Sequence, residues 1–344
     1  MVYEAGAEMT RRSGRPAIAA AVLALVTHVA CTSGGDVGGS ATTSTASDSA
    51  EATRVEHAVG KRRTELVDRT RPTAADPNRR RAERSDRTIP VTLLYPAEGS
   101  PGPHPQPVED APVADGGFPL VVFAHGWTAS GDTGAYQQRL EVWAGAGYVV
   151  AAPTFPLTSG PGAAPGDYLN QPGDVSFVID ELLADATQPG DPFYRHIDDD
   201  RVGVAGHSLG AITTIGVTYN SCCHDARIDA AVEISGVEWP FPNGDYSVWP
   251  DVPLLAVHGA RDDVLPVTGS DELIAKALPP TYYLRFDRAD HTTLLGGREG
   301  ALMDEAVIAF FDFYLDDNKD PLTELPDQVH ESGLATFDIG TTNP

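Results

Sequence analysis

The sequence predicts an α/β domain with a mainly parallel central sheet and helices on both faces. Three observations predict it. Short continuous apolar runs, such as 118–124 and 147–152, read as strands buried on both faces. Stretches with helical spacing lie between them, so parallel strands can be joined by covering helices. Residues 201–218 read as a strand, a tight turn and a helix in direct succession. At 344 residues and 41% hydrophobic content, the chain is long enough for one large domain of this kind with tails.

Taken in order, the first 31 residues read as an export signal. Arg11, Arg12 and Arg15 precede an apolar stretch over 17–29, interrupted by Thr27 and His28 and too short to span a bilayer. Ala30-Cys31 at its end resembles a bacterial lipoprotein box. The resemblance implies a lipid on Cys31; ordinary secretion is the alternative. Residues 32–86 are polar and Arg-rich towards their end, without apolar periodicity, and read as a disordered tether and linker. A folded domain is expected over 87–320, and a loose polar tail over 321–344.

Within the domain, 88–95 reads as an early strand, 101–117 as a Pro/Gly-rich loop and 118–124 as a buried strand. A helix is expected over 134–146, a strand over 147–152 and a Gly/Pro loop over 154–167. Val175, Val178, Ile179, Leu182 and Leu183 recur at helical spacing. Further strands are expected at 230–234, 254–257 and 282–286. Met303, Val307, Phe310, Phe311 and Tyr314 mark a last amphipathic helix.

The formal net charge is −25. Residues 1–90 hold 14 Lys+Arg and 11 Asp+Glu; the remainder hold 10 and 38. So acidic a domain excludes nucleic acid and anionic lipid headgroups as main partners and favours neutral substrates. Besides Cys31 there are only Cys222 and Cys223. Adjacent cysteines rarely form a disulfide, and no further cysteine completes a metal site, so two thiols are expected.

Gly206-His207-Ser208-Leu209-Gly210 has the pattern Gly-x-Ser-x-Gly between a strand and a helix. That context exposes a serine hydroxyl on a sharp turn and aims a helix N-terminus at it. A serine hydroxyl is a weak nucleophile at neutral pH and needs a base, which in turn needs an orienting acid. Downstream strands end in 258–266 and 287–291, which supply both. His291 is the candidate base. Asp262 is the candidate acid, with Asp263 its rival one residue on. Asp287 and Asp290 belong to the loop carrying His291, and His207 is expected to pack beside the serine. Backbone amides of Leu209 and of Trp127, in the glycine turn His125-Gly126-Trp127, are the candidate oxyanion hole.

The turn His125-Gly126-Trp127, the run Gly206–Gly210, the Asp262 loop and His291, in this order, resemble the α/β-hydrolase fold. The resemblance implies that 87–320 is a catalytic domain cleaving carboxylic esters through a Ser-His-Asp triad and an acyl-enzyme, without metal or organic cofactor. More narrowly, 88–97, 147–153 and 201–210 resemble bacterial relatives of platelet-activating-factor acetylhydrolase, dienelactone hydrolase-like proteins and cutinase-like polyester hydrolases. Dienelactone hydrolases proper have cysteine where Ser208 stands, so thiolate chemistry does not carry over. In cutinase-like enzymes a tryptophan in the loop matching 235–250 lines the pocket. By that resemblance Trp239 contacts substrate; packing its own loop is the alternative. The expected partner is a small or polymeric ester, met by a monomer that is secreted or lipid-anchored on the outer face of a bacterial cell. A phospholipid or acetyl-ester hydrolase of the same mechanism, and a non-catalytic binding protein on the same fold, are the alternative readings.

Overall fold

The computed structural model describes residues 56–102 and 106–340. The export signal, Cys31 and the first part of the expected tether lie outside them. The elements in chain order are β1 (Ala58–Asp68), β2 (Arg87–Ala97), β3 (Val108–Glu109), β4 (Phe118–Ala124), α1 (Gly134–Gly145), β5 (Val149–Pro153), α2 (Gln171–Asp185), β6 (Ile197–His207), α3 (Leu209–Tyr219), β7 (Ile228–Ile234), β8 (Leu254–Gly259), α4 (Thr268–Lys276), β9 (Thr281–Phe286), α5 (Gly297–Leu315), α6 (Asp320–Ser332) and β10 (Ala335–Gly340).

The strands form one sheet in the order β10-β9-β8-β7-β6-β4-β5-β2-β1-β3. From β5 through β9 every neighbouring pair is parallel. Antiparallel β2 and β10 flank this parallel centre. The parallel strands are the apolar runs of the sequence, and β4, β5 and β8 are buried along their whole length. Helices α1 and α5 cover one face through Leu140, Trp143, Met303 and Phe310. Helices α2 and α3 cover the other through Val175, Val178, Ile215 and Val217.

Strand β4 lies between β6 and β5, so the chain leaves it towards one side of the sheet and later returns on the other. Such a switch point opens a crevice outside the carboxyl ends of the strands, where open α/β sheets place their ligands. His125 follows β4 and Ser208 follows β6.

Three expectations are corrected. The tether over 32–86 does not extend to its end, because β1 pairs with β2 along eleven residues. Lys61, Arg62 and Arg63 hide this strand from apolar periodicity, and the backbone ladder with Val59 and Leu66 anchors it. Residues 69–86 then fold back through the bridges Thr73↔Arg84 and Asp76↔Arg81. There Arg79 donates to the carbonyls of Pro156, Leu157 and Ser159.

The tail over 321–344 is likewise structured up to residue 340. Leu322, Leu325 and Val329 put one apolar face of α6 into the core that contains α5. Gly333 closes the helix in the left-handed region (φ 62°), and β10 joins the sheet edge. Cys222 and Cys223, expected as thiols, are bonded to each other. They lie in the turn between α3 and β7.

The expected loop 154–167 is held from below. Arg87 on β2 is fully buried and donates to Asp174 at 2.6 Å and to Asp167 at 2.6 Å. Both carboxylates flank the start of α2, so this guanidinium ties the loop to the sheet. Burial without such bidentate partners would be prohibitive for a cation.

Candidate active site

The site is built at the carboxyl ends of β4, β6, β8 and β9. At the end of β6 the backbone of Ser208 has φ 58° and ψ −120°. Few non-glycine residues adopt this conformation, and it lifts the side chain out of the turn. The two flanking glycines make the turn sterically feasible. A Cβ at Gly206 would collide with the carbonyl of Gly210, and one at Gly210 with the carbonyl of Ala124. Strand, turn and helix are therefore packed backbone to backbone.

His291 follows β9. Its Nε2 lies 2.8 Å from Ser208 Oγ, and its Nδ1 lies 2.6 Å from Asp262 Oδ2. Asp262 follows β8, and its other oxygen accepts the amides of Val264 and Leu265, both at 2.9 Å. Burial alone would raise the Asp262 carboxyl, but hydrogen bonds from His258 and His291 outweigh it and hold the group well below the usual carboxylate range. Asp263 is exposed. Of the two rival carboxylates, the structure thus brings Asp262 to the imidazole. Asp290 accepts the amides of Thr292 and Thr293 and fixes the loop that carries His291.

His207 packs against His291, with ring centroids 4.8 Å apart. Its Nε2 donates to the His291 carbonyl at 2.8 Å, so its Nδ1 accepts from the Tyr136 hydroxyl at 2.7 Å. Burial, with His291 next to it, lowers His207 to about 3, so it stays neutral. Tyr136 oxygen in turn receives the Gly126 amide at 3.3 Å. His125, lowered by burial to about 4, accepts the Phe155 amide on Nε2 and donates from Nδ1 to the Gly126 carbonyl.

The glycine turn lies directly against the serine: a Cβ at Gly126 would stand 3.3 Å from Ser208 Cβ. Leu209 opens α3, and neither its amide nor that of Trp127 meets an acceptor among the described residues. Trp127 and Leu209 share one apolar cluster with Ile212, Phe241, Leu265 and Trp239. Trp239 is half-buried and meets Tyr168 edge to face at 5.2 Å, while its carbonyl accepts the Tyr246 hydroxyl.

Sequence reasoning missed Tyr136, Tyr168, His258 and Glu233. None stands in a motif; Glu233 and His258 reach the site through the strand order, Tyr136 from the start of α1 and Tyr168 from the segment before α2. The only sequence signal was His258-Gly259 at the end of the β8 run.

Residues 87–240 match the family model described as Chlorophyllase. No curated protein sequence matches the chain. Among solved structures, the chain is similar to a ferulic acid esterase from Streptomyces cinnamoneus. That similarity has a TM-score of 0.62 at 23% identity and covers 85% of this chain and 98% of the other. The chain has the α/β-hydrolase fold. A carboxylic ester hydrolase is the class of enzyme that the family match over 87–240 supports.

Proposed function

We propose that this hydrolase cleaves carboxylic esters through Ser208, His291 and Asp262. The hydrogen bond of His291 Nε2 to Ser208 Oγ, with Asp262 on Nδ1, carries this reading. Ser208 attacks the ester carbonyl as His291 takes its proton. Asp262 keeps the ring in the tautomer that accepts on Nε2 and stabilises the imidazolium that forms. The Trp127 and Leu209 amides, which meet no acceptor among the described residues, hold the oxyanion. His291 then protonates the leaving alcohol, and water repeats the sequence on the acyl-enzyme. Ser208→Ala should lose on the order of 10⁶ in turnover of p-nitrophenyl acetate; unchanged turnover would remove Ser208 from the mechanism.

Trp239, with Tyr168 and Phe241 beside it, is proposed to form the wall for the acyl or alcohol group. An aromatic wall favours a flat or apolar substituent next to the ester. The name of the structural neighbour, an esterase of ferulic acid, supports aromatic acyl groups as the first class to assay. Cutinase-like polyester cleavage and phospholipid or acetyl-ester cleavage use the same chemistry. A panel of aromatic-acid esters, acyl esters of rising length and a polyester film separates them.

Export, with lipidation of Cys31 or without it, remains part of the proposal, as does action as a monomer. No helix among the described residues is long and apolar enough to cross a membrane. Incorporation of labelled palmitate into the wild type but not into Cys31→Ser tests the anchor.

A further inference from the structure

Behind Asp262 lies a second imidazole that the reaction does not touch. His258, at the end of β8, is fully buried. Its Nε2 stands 2.9 Å from the Leu265 carbonyl and 3.2 Å from Asp262 Oδ2. Both are acceptors, so Nε2 carries a proton. Its Nδ1 stands 2.7 Å from Ser270 Oγ on α4. Ser270 Oγ also meets Glu233 Oε1 from β7, and Glu233 Oε2 accepts the Gly236 amide at 2.8 Å. Ser270 and Glu233 are as buried as His258.

A hydroxyl has one proton to give. If Glu233 is ionised, Ser270 donates to it, and the serine oxygen can only accept from Nδ1, which is then protonated too. If Glu233 is neutral, it donates to Ser270, Ser270 donates to Nδ1, and His258 is neutral. One proton is thus shared along Glu233, Ser270 and His258. As Ser270 receives it from one side it passes its own to the other, and ends with a single hydrogen either way. Burial outweighs the hydrogen bonds to Glu233 and leaves its carboxyl raised above the ordinary value, and by itself it favours a neutral His258. Against that, the Asp262 carboxylate, the Glu233 charge and the Leu265 carbonyl converge on one ring and raise His258 above its ordinary value.

We propose that Glu233 and Ser270 keep His258 as an imidazolium against Asp262, and that this buried cation sets the lower pH limit at which His291 is free to act as the base. The proposal rests on the roles given above to Ser208, Asp262 and His291. Asp262 Oδ2 receives a proton donor from both imidazoles. A positive charge on His258 offsets the carboxylate and disfavours a second positive charge on His291. The acid limb of turnover is therefore expected at a lower pH than an isolated Asp–His pair would give. His258 is a positioning residue, not a catalytic one.

Three further ionisable groups around this chain are held in their neutral forms. His207, from the end of β6, is lowered by burial. The Tyr219 and Tyr283 phenols, both in the field of Glu233, are pushed up by burial. Tyr283 donates its proton to Asp271 on α4 at 3.0 Å.

The experiment is the pH dependence of kcat/KM on p-nitrophenyl acetate for wild type, Glu233→Gln, His258→Gln and the double variant. Each single change should move the acid limb up by on the order of one pH unit. The double variant should move it no further than one alone. A uniform loss of rate with the limb unmoved, or additive shifts, would overturn the relay. Nitrogen NMR of the full-length wild type gives a readout independent of turnover. At pH 7 both ring nitrogens of His258 should be protonated, and one unprotonated ring nitrogen would overturn the proposal. Turnover retained by Ser208→Ala would instead strike the proposed reaction, and the NMR result would still decide the relay.

Discussion

His207 donates from Nε2 to the backbone carbonyl of His291 at 2.8 Å. The residue before the elbow serine thus holds the loop that supplies the imidazole next to that serine. Because Tyr136 donates to His207 and receives Gly126, one chain of hydrogen bonds runs from the glycine turn to the His291 loop. Removing the Tyr136 hydroxyl leaves a buried nitrogen and a buried amide without partners. Tyr136→Phe is therefore expected to lower kcat/KM about 10-fold and stability by about 1–3 kcal/mol. Steady-state kinetics and a urea titration on the same preparation check both. A variant equal to wild type in both would mean that the chain positions nothing.

The two carboxylates after β8 are told apart by charge removal that keeps shape. Asp262→Asn should cost roughly 10⁴ in turnover, because the amide holds the imidazole in the wrong tautomer. Asp263→Asn, on an exposed side chain, should cost little. The opposite ranking would reassign the acid.

Acid should destabilise the fold through two histidines. His207 and His125 are buried neutral, lowered to about 3 and about 4. Unfolded histidine takes up a proton near pH 6.5, so between that value and the folded ones the unfolded chain binds more protons. Their contribution is complete above about pH 6.5 and falls as pH drops, by up to about 1.4 kcal/mol per pH unit for each ring. Urea midpoints from pH 7 to pH 4.5 measure this slope. His125→Gln should flatten it; a slope equal to wild type would show that His125 is not the group that titrates.

The α6 face is a packing prediction. Leu325 is fully buried in the core that contains α5. Leu325→Ala should cost about 2–5 kcal/mol. A cost under 0.5 kcal/mol, read from denaturant midpoints, would mean that α6 is not docked in solution.

What was legible in the sequence followed from local pattern. The parallel strands are short apolar runs, and the sheet's centre could be read from them alone. The order of Ser208, Asp262 and His291 after three such runs was enough to expect their convergence. Elements whose burial depends on partners were not legible. Strand β1 carries Lys61, Arg62 and Arg63 and is fixed by its ladder with β2. Helix α6 shows only three buried apolar residues around Pro326, and α4 buries only Ser270 and Leu273. The residues around Ser208, Asp262 and His291 share that character. Glu233 reaches His258 because β7 lies beside β8, and Tyr136 reaches His207 from the first turn of α1. Neither adjacency has a spacing in the chain that would announce it.

The attack of Ser208 on a carbonyl is tested most directly by treating the full-length protein with a fluorophosphonate probe and mapping the adduct by mass spectrometry. A single adduct on Ser208, lost in His291→Ala, is the expected result. An unlabelled protein that still hydrolyses esters, or an adduct on another residue, would contradict it.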